Sequence, residues 1–207
     1  MTINNVFLTN DLVAPLNIIW EMLIAGANNR RSPLHMPSVA TISTNGFPSQ
    51  RIMVLREADQ HNRILRFHTD VRSTKNKEIQ NGAHVSILGY DPEVKVQIRL
   101  WGNARIETKS QLANSAWEAT SLYGRRCYLA EPGPGTIINT ATSGLAKEIE
   151  GQKPTPIETE FARENFAILI IEIVKVEWLY LAHTGHRRAQ YVWNYGTNDW
   201  DGNWMIP

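Results

Sequence analysis

The sequence predicts a mainly β protein with flanking helices, built on an antiparallel sheet or barrel. Asn45 and Gly46 separate two predicted strands, and because both residue types tolerate positive φ, the pair is a strong hairpin signal. Apolar and polar side chains alternate from Val94 to Trp101, which is the period of a strand with one buried face. Segment 166–180 begins with six apolar residues, and it is predicted to form a further long strand.

The spacing of apolar residues assigns the remaining elements. Helix 15–28 begins with Pro15, which suits a first helical turn, and its apolar residues recur at helical spacing. The other predicted elements are strands 39–43, 50–57 and 64–69, a helix from Ser73, strands 83–90 and 94–108, helix 110–126, and strands 166–180 and 189–195. We expect the first three strands to form a meander. Gly102 is expected to mark a bulge or a close backbone approach.

Length and composition predict one domain. The 207 residues, 43% of them hydrophobic and 20% charged, suffice for a single core, so we expect residues 1–207 to form one unit. Its ends would be a helical segment at about 15–28 and an aromatic tail at about 196–207. Four of the seven tryptophans lie in the last thirty residues, which suggests that this tail docks on the body or on a second subunit.

Charge and cysteine content exclude several classes of protein. A net charge of +1 does not supply the positive field that nucleic-acid binding through phosphates needs. Cys127 is the single cysteine, so an intrachain disulfide is excluded and a reducing compartment fits. The first residues do not resemble a signal peptide, and the longest purely apolar stretch, 166–171, is far shorter than a membrane span. We therefore expect a cytoplasmic protein that binds neither membranes nor nucleic acid.

The segment around Ser73 suggests an anion site. Ser73 is a natural N-cap, yet Lys75 and Lys77 follow it, and a cation in a first turn opposes the helix dipole by roughly 0.3–1 kcal/mol. This arrangement makes sense if free amides, the hydroxyls of Ser73 and Thr74 and an ammonium converge on a phosphate. The alternative is an ordinary surface helix that is rich in lysine.

Most signatures of catalysis are missing from the sequence. It has no G-x-G-x-x-G, Walker, H-E-x-x-H, C-x-x-C or G-x-S-x-G motif, and its six histidines are not at metal-ligand spacing. We therefore expect no metal site. His186 is the histidine of most interest, because it precedes Arg187 and Arg188 between two predicted strands, where an arginine could meet the same anion as Lys75.

Several segments, in this order and spacing, resemble the pyridoxamine 5'-phosphate oxidase-like family of FMN-binding split-barrel proteins. The matching segments are 51–56 (RIMVLR), 67–69 (FHT) with 73–75 (STK), 97–102 (QIRLWG), and Trp178 with His186 and Arg188. The closest likeness is to the oxidase-related FMN-binding subgroup. The resemblance implies an antiparallel split β-barrel, a homodimer, and FMN in clefts between the subunits.

The resemblance also implies the cofactor residues. They would be Arg51, Ile52, Met53, Val54, Leu55, Arg56, His68, Thr69, Ser73, Thr74, Lys75, Gln97, Trp178 and Arg188. Arg51, Ser73, Thr74 and Lys75 would surround the phosphate, and some of the others would come from the second subunit. His186 and Arg56 are the candidates for catalysis. Because Arg51 and Arg56 would point to opposite faces of a regular strand, both can reach one FMN only through a bulge or a strand end.

Two departures from the oxidase pattern bear on function. Thr74 stands where the oxidase commonly has an arginine of the phosphate clamp, and Thr184 stands where it has an arginine facing the substrate. The oxidase residues that hold the substrate phosphate cannot be placed with correct spacing. The leading hypothesis is an FMN-dependent oxidoreductase acting on an unidentified small molecule. The alternatives are a non-catalytic flavin carrier or sensor and a protein that binds vitamin B6 phosphate without turnover.

Overall fold

A single antiparallel sheet dominates the computed structural model, which describes residues 10–79 and 83–207. Nine strands belong to the sheet within these ranges: β1 Ser38–Ile42, β2 Pro48–Ile52, β3 Leu55–Asp59, β4 Ile64–Asp70, β5 Ala83–Asp91, β6 Val96–Glu107, β7 Phe166–Tyr180, β8 Arg187–Asn194 and β9 Asp199–Met205. The α-helices are α1 Val13–Asn28, α2 Thr74–Ile79, α3 Gln111–Ala119 and α4 Leu122–Arg126. Short 3₁₀ turns occupy Pro33–His35, Cys127–Leu129, Ile157–Thr159 and Phe161–Asn165.

Strand β7 organises the sheet. The strands follow the order β2-β1-β5-β6-β7-β4-β3, and β8 and β9 form a branch from β7. One edge of β7 pairs with β6, whereas the other edge pairs first with β4 and then, from Lys175 onward, with β8. The sheet therefore divides into two branches along this one strand.

A bulge in β7 lies where the strand paired with one of its edges changes from β4 to β8. Trp101 pairs with Lys175 and Gly102 with Ile173, so Val174 has no counterpart in β6. A Cβ atom on Gly102 would lie 2.4 Å from the carbonyl oxygen of Glu172, so only glycine fits here. The expectation that Gly102 marks a bulge or a close backbone approach is confirmed.

The first half of β7 is buried on both faces. Leu169 and Ile171 join the main core, where α1 packs through Ile19, Trp20 and Leu23. On the opposite face, helix α3 covers the strand in a second apolar cluster, whose buried members are Ala113, Ala116, Trp117, Ala162, Phe166, Ile168 and Ile170. Each such side chain contributes roughly 1.5–3 kcal/mol when it leaves water. Burial on both faces explains why the first six residues of this strand form a continuous apolar run.

The predicted strand 50–57 is wrong, because two strands replace it. β2 ends at Ile52 and β3 begins at Leu55, and the two lie at opposite ends of the main strand order. The expected meander is therefore wrong as well. The amide of Met53 donates to the carbonyl of Pro37 at 3.1 Å, at the point where the chain leaves the β1 ladder. No glycine or proline marks the change of partner.

The predicted helix 110–126 is also interrupted. α3 ends at Ala119, and α4 begins after Ser121, whose hydroxyl accepts from the amide of Gly124 at 3.2 Å. The other N-cap, Ser110, accepts from the amide of Ala113 at 3.1 Å. An internal serine cap therefore starts a second short helix.

The aromatic tail contains β9, which the sequence reading did not predict. β9 pairs with β8, and Trp200 packs against the main core and meets Trp193 edge to face, with ring centroids 5.4 Å apart. Trp204 approaches Trp178 with centroids 6.3 Å apart. The tail therefore docks on the body of the chain. No helix within the described ranges has the length and apolarity that crossing a membrane requires.

Candidate functional site

A cleft of about 320 Å³ opens where β2, β3 and β4 end near α2. Its lining residues are Arg51, Ile52, Met53, Val54, Arg56, His68, Thr69, Asp70, Lys75, Cys127, Tyr128 and Pro134. Eight of these were predicted to contact a cofactor. The structure therefore brings together residues that the sequence separates by up to 24 positions.

Backbone irregularity places Arg51 and Arg56 on the same cleft. Leu55 pairs with Phe67 and Glu57 with Arg66, so Arg56 is the extra residue of a bulge in β3. The break between β2 and β3 precedes this bulge. The chain thus has both a strand end and a bulge between the two arginines. Either feature allows two arginines that are five residues apart to reach the same ligand.

Lys75 is the cation at the α2 end of the cleft. Burial lowers the pKa of its ammonium, and the neighbouring charge of Arg51 lowers that pKa further. Its Nζ donates to the Ser73 hydroxyl at 3.0 Å, and that hydroxyl donates to the carbonyl of Asp70 at 2.7 Å. Ser73 therefore holds Lys75, in contrast to the expected cap on a helix amide. A partly buried ammonium beside another cation gains from a bound anion.

Fixed polar contacts orient Arg51. Its guanidinium donates to Glu78 at 3.0 Å and to the hydroxyl of Ser49 at 2.7 Å, and it also bonds to Thr41. The Glu78 side chain is almost fully buried. These contacts hold the guanidinium at the cleft wall before any ligand arrives, which reduces the ordering required on binding.

A loop that follows α4 forms the far wall. Arg72 donates to both carboxylate oxygens of Asp70, at 3.0 and 2.8 Å, to Glu131 at 2.7 Å and to the carbonyl of Tyr128 at 3.4 Å. One side chain thus fastens this loop to the end of β4. Cys127, Tyr128 and Pro134 were missed as site residues, because neither periodicity nor a motif marks them.

A second cavity, of about 460 Å³, adjoins the cleft and shares Arg56 and His68 with it. Its other lining residues are Arg30, Arg66, Ala116, Ala119, Thr120, Ser121, Tyr123 and Gly124. Arg66 pairs with Glu57 at 2.6 Å, while Arg30 and Arg56 form no ion pair with any residue of the described ranges. Three guanidiniums therefore face one cavity with a single neutralising carboxylate, which makes it suited to anions.

His68 lies where the two cavities meet. Burial and the charges of Arg56 and Arg66 lower the pKa of its imidazole to about 3. The ring packs edge to face against Phe166, with centroids 4.9 Å apart. His68 is therefore neutral near pH 7, so one ring nitrogen can donate a hydrogen bond while the other accepts.

Gln97, Trp178 and Arg188 lie elsewhere. They line a third cavity, of about 110 Å³, together with Arg99, Glu177 and Leu179, and it shares no lining residue with the cleft. The indole of Trp178 has no exposed surface and stacks on Tyr180, with centroids 6.3 Å apart. Its contact with a flavin therefore stays a prediction.

Four further predicted residues do not line the cleft. The Leu55 side chain is fully buried in the core, so it faces away from a ligand. Ser73 is buried behind Lys75, and Thr74 is exposed at the start of α2. His186 is exposed in the turn before β8, outside these cavities, and its catalytic role stays a prediction. Within the described ranges, no group of histidine, cysteine and carboxylate side chains could hold a metal ion.

Comparison with solved structures defines the class of fold. Over 93% of this chain and 98% of the other, the structure is similar to a pyridoxamine 5'-phosphate oxidase-related, FMN binding protein from Nostoc punctiforme PCC 73102. The TM-score is 0.75 and the sequence identity is 24%. The mainly antiparallel sheet with flanking helices is therefore that of the FMN-binding split barrels, and the predicted fold class is confirmed.

Sequence comparison finds similarity to one family of proteins. Residues 18–108 match the family described as pyridoxamine 5'-phosphate oxidase, FMN-binding domain. It is 29% identical to pyridoxine/pyridoxamine 5'-phosphate oxidase 2 of Arabidopsis thaliana, over 78% of this chain and 83% of that protein. A pyridoxine/pyridoxamine 5'-phosphate oxidase of Burkholderia vietnamiensis is 28% identical over 55% of this chain, which spans about half (51%) of that relative's length.

His68 should make folding stability sensitive to acid. Its imidazole binds a proton near pH 3 in the folded state and near the ordinary pKa of 6.5 in the unfolded state. Because the unfolded state binds more protons between these values, the free energy of unfolding falls as the pH is lowered from about 6.5, by at most ~1.4 kcal/mol per pH unit. Urea unfolding from pH 4 to 7 should show a smaller slope against pH for His68→Gln.

His61→Gln is the matched control, because His61 is exposed in the turn between β3 and β4. That variant should keep the wild-type dependence on pH. An unchanged slope in His68→Gln would show that the imidazole is protonated alike in the folded and unfolded states.

Proposed function

We propose that the chain binds FMN, with the phosphate between Arg51 and Lys75 and the rest of the cofactor extending toward Arg56 and His68. The observation that carries this proposal is the convergence of Arg51, Arg56 and Lys75 on one cleft. A phosphate of about −1.5 to −2 charge is stabilised by several cations. The match of residues 18–108 to an FMN-binding domain family supports the same ligand.

We further propose a homodimer in which each FMN site is completed by the second subunit. Gln97 and Arg188 line a cavity on the outward face of β6 and β8, separate from the cleft. The cavity and the cleft both carry cations, and neither of them alone would surround a bound FMN. Pairing the cavity of one subunit with the cleft of the other would enclose the cofactor.

We propose that the protein is an oxidoreductase whose substrate carries a carboxylate or a phosphate. When bound, FMN supplies hydride or electron transfer. The cavity lined by Arg30, Arg56 and Arg66 adjoins the FMN cleft and gives space for a second, anionic molecule. This cavity favours an enzyme over a flavin carrier, because a carrier needs no second site.

The residues of this cavity can bind and orient such a substrate. Arg56 and His68 border both cavities, so they would lie between the substrate and the cofactor. The guanidiniums would hold the anionic group, while the neutral imidazole can exchange a hydrogen bond without adding charge. The residues from α3 and α4 on the opposite wall would limit access of water to the substrate.

Lys75→Ala should weaken FMN binding by about 10- to 100-fold, since a hydrogen bond to a charged group contributes roughly 1.5–3 kcal/mol. Lys77→Ala is the matched control, because Lys77 is exposed on the same helix and does not line the cleft. Fluorescence titration of FMN against each purified protein measures the dissociation constants. Equal weakening by both substitutions would contradict the placement of the phosphate, and a wild-type protein that binds no FMN would refute the function.

Mixing two defective variants tests the shared site. Lys75→Ala and Arg188→Gln should each weaken both sites of a homodimer. A heterodimer of the two variants should regain one tight site, because one cleft then combines an intact Lys75 with an intact Arg188. Co-expression with two affinity tags gives the heterodimer, and titration counts its tight sites. A heterodimer with no tight site would show that each chain builds its FMN site alone.

Anionic compounds should reduce the bound flavin faster than their neutral counterparts. Pyridoxamine 5'-phosphate and pyridoxamine form one such pair, and matched carboxylates and amides extend the set. Loss of the visible flavin absorbance under anaerobic conditions measures the rate. Arg66→Gln should slow reduction by active anionic compounds, because it removes one guanidinium from the cavity.

Arg105→Gln serves as the control, since Arg105 pairs with Glu107 on β6, outside the cavity. Equal rates with charged and neutral members of each pair would contradict an anionic substrate. Tight FMN binding with no reduction by any compound would favour the flavin carrier.

A further inference from the structure

The outward face of β6, β7 and β8 carries a regular array of polar side chains. Register places Arg99 of β6 opposite Glu177 of β7, with Gln190 of β8 on its other side. Gln97 and Arg188 flank Leu179 in the next row. Glu177 is therefore at the centre of the face that holds the third cavity.

Three cations surround the Glu177 carboxylate. Its Oε2 accepts from Arg188 at 2.8 Å and from Arg99 at 3.3 Å, and its Oε1 accepts from Lys175 at 3.1 Å. The carboxylate side chain is only 8% exposed. Burial raises the pKa of Glu177, but the bonds from Arg188 and Lys175 outweigh burial and hold the pKa below its ordinary value. Glu177 is thus ionised near pH 7.

This cluster carries an excess of positive charge. One carboxylate cannot neutralise two guanidiniums and an ammonium, so the four side chains carry a net charge of +2. Arg99 and Lys175 also lie over the Trp101 ring, 4.7 and 4.6 Å from its centroid, which restricts both cations further. A buried ion pair is a weak source of stability, so orientation of the cations is the more specific effect of Glu177.

We infer that Glu177 is a positioning residue that fixes Arg99 and Arg188 at the FMN site and limits the positive charge there, which keeps the reduction potential of the flavin low. The inference rests on the proposed function, because it takes the Gln97–Arg188 cavity as part of an FMN site. Positive charge near a flavin favours the reduced form, which carries more negative charge. Arg99 and Arg188 therefore raise the potential, and the Glu177 carboxylate opposes them.

Glu177→Gln separates the effect of the carboxylate charge from the effect of the side chain's shape and hydrogen bonding. Glutamine has nearly the same shape and keeps one oxygen that can accept from Arg188, while the negative charge is lost. The ratio of FMN affinities in the reduced and oxidised states should rise about tenfold, which is about +30 mV for a two-electron couple. Reductive titration of the FMN-loaded protein against a reference dye measures this shift. An unchanged or lower potential in a folded variant overturns the inference.

Two further variants complete the test. Glu172→Gln is the matched control, because Glu172 also lies on β7 and pairs with an arginine, Arg63, but is outside the cavity. The reduction potential of the flavin in this variant should equal that in the wild type. Arg99→Gln removes a cation that is 45% exposed, so it should fold normally, and it should lower the potential. A shift in Glu172→Gln as large as that in Glu177→Gln, or no shift in Arg99→Gln, also overturns the inference.

Binding of FMN by the wild type distinguishes a failure of the proposed function from a failure of the inference about Glu177. A wild-type protein that binds no FMN refutes the proposed function together with this inference. Normal FMN binding, combined with identical potentials in the wild type and Glu177→Gln, overturns the inference alone.

Discussion

The structure depends on the burial of β7. Its first half is covered by the main core on one face and by the α3 cluster on the other, so every side chain from Phe166 to Ile171 is removed from water. β6 lies along one of its edges, and β4 and β8 share the other edge. β4 carries His68 and Thr69 to the cleft, while β8 carries Arg188 to the outward cavity. The cleft and the outward cavity therefore both derive their position from the same strand.

Like charges have to be held together both in the cleft and on the outward face of β6, β7 and β8. In the cleft, Glu78 fixes Arg51 and the Ser73 hydroxyl holds Lys75. On the outward face, Glu177 gathers its three cations. Each carboxylate lowers the repulsion between cations without cancelling it. The remaining positive charge is what an anionic cofactor would neutralise.

Sequence patterns predicted most of the fold, because alternation and apolar runs report burial directly. The boundaries of β7 were predicted correctly, and so was the set of alternate residues that forms the buried face of β6. The break at Met53 was missed, because a change of strand partner leaves no mark on a pattern of burial. The helix interruption at Ser121 was missed as well, although the serine cap was a readable signal.

Most of the candidate cleft was predicted through the motifs of segments 51–56 and 67–75. The bulge at Arg56 was foreseen only as one of two geometric conditions, since two arginines five residues apart can reach the same ligand through a bulge or a strand end. Cys127, Tyr128 and Pro134 could not be predicted, because they reach the cleft through a loop whose path depends on tertiary contacts. The adjoining cavity was missed for a similar reason: Arg30 and Arg66 come from separate elements, and no motif joins them.

The attachment of that loop has a consequence for how the cleft exchanges molecules with solvent. Arg72 links Asp70, Tyr128 and Glu131 through polar contacts, of which the one with Glu131 is exposed to solvent. Release of Arg72 would free the loop from the end of β4, while Asn165 still donates to the Tyr128 carbonyl and Phe166 still packs against its ring. The free energy of such a local opening is separate from that of global unfolding. Because the exposed Arg72–Glu131 ion pair weakens as salt screens it, ionic strength becomes a control on the rate at which ligands enter and leave.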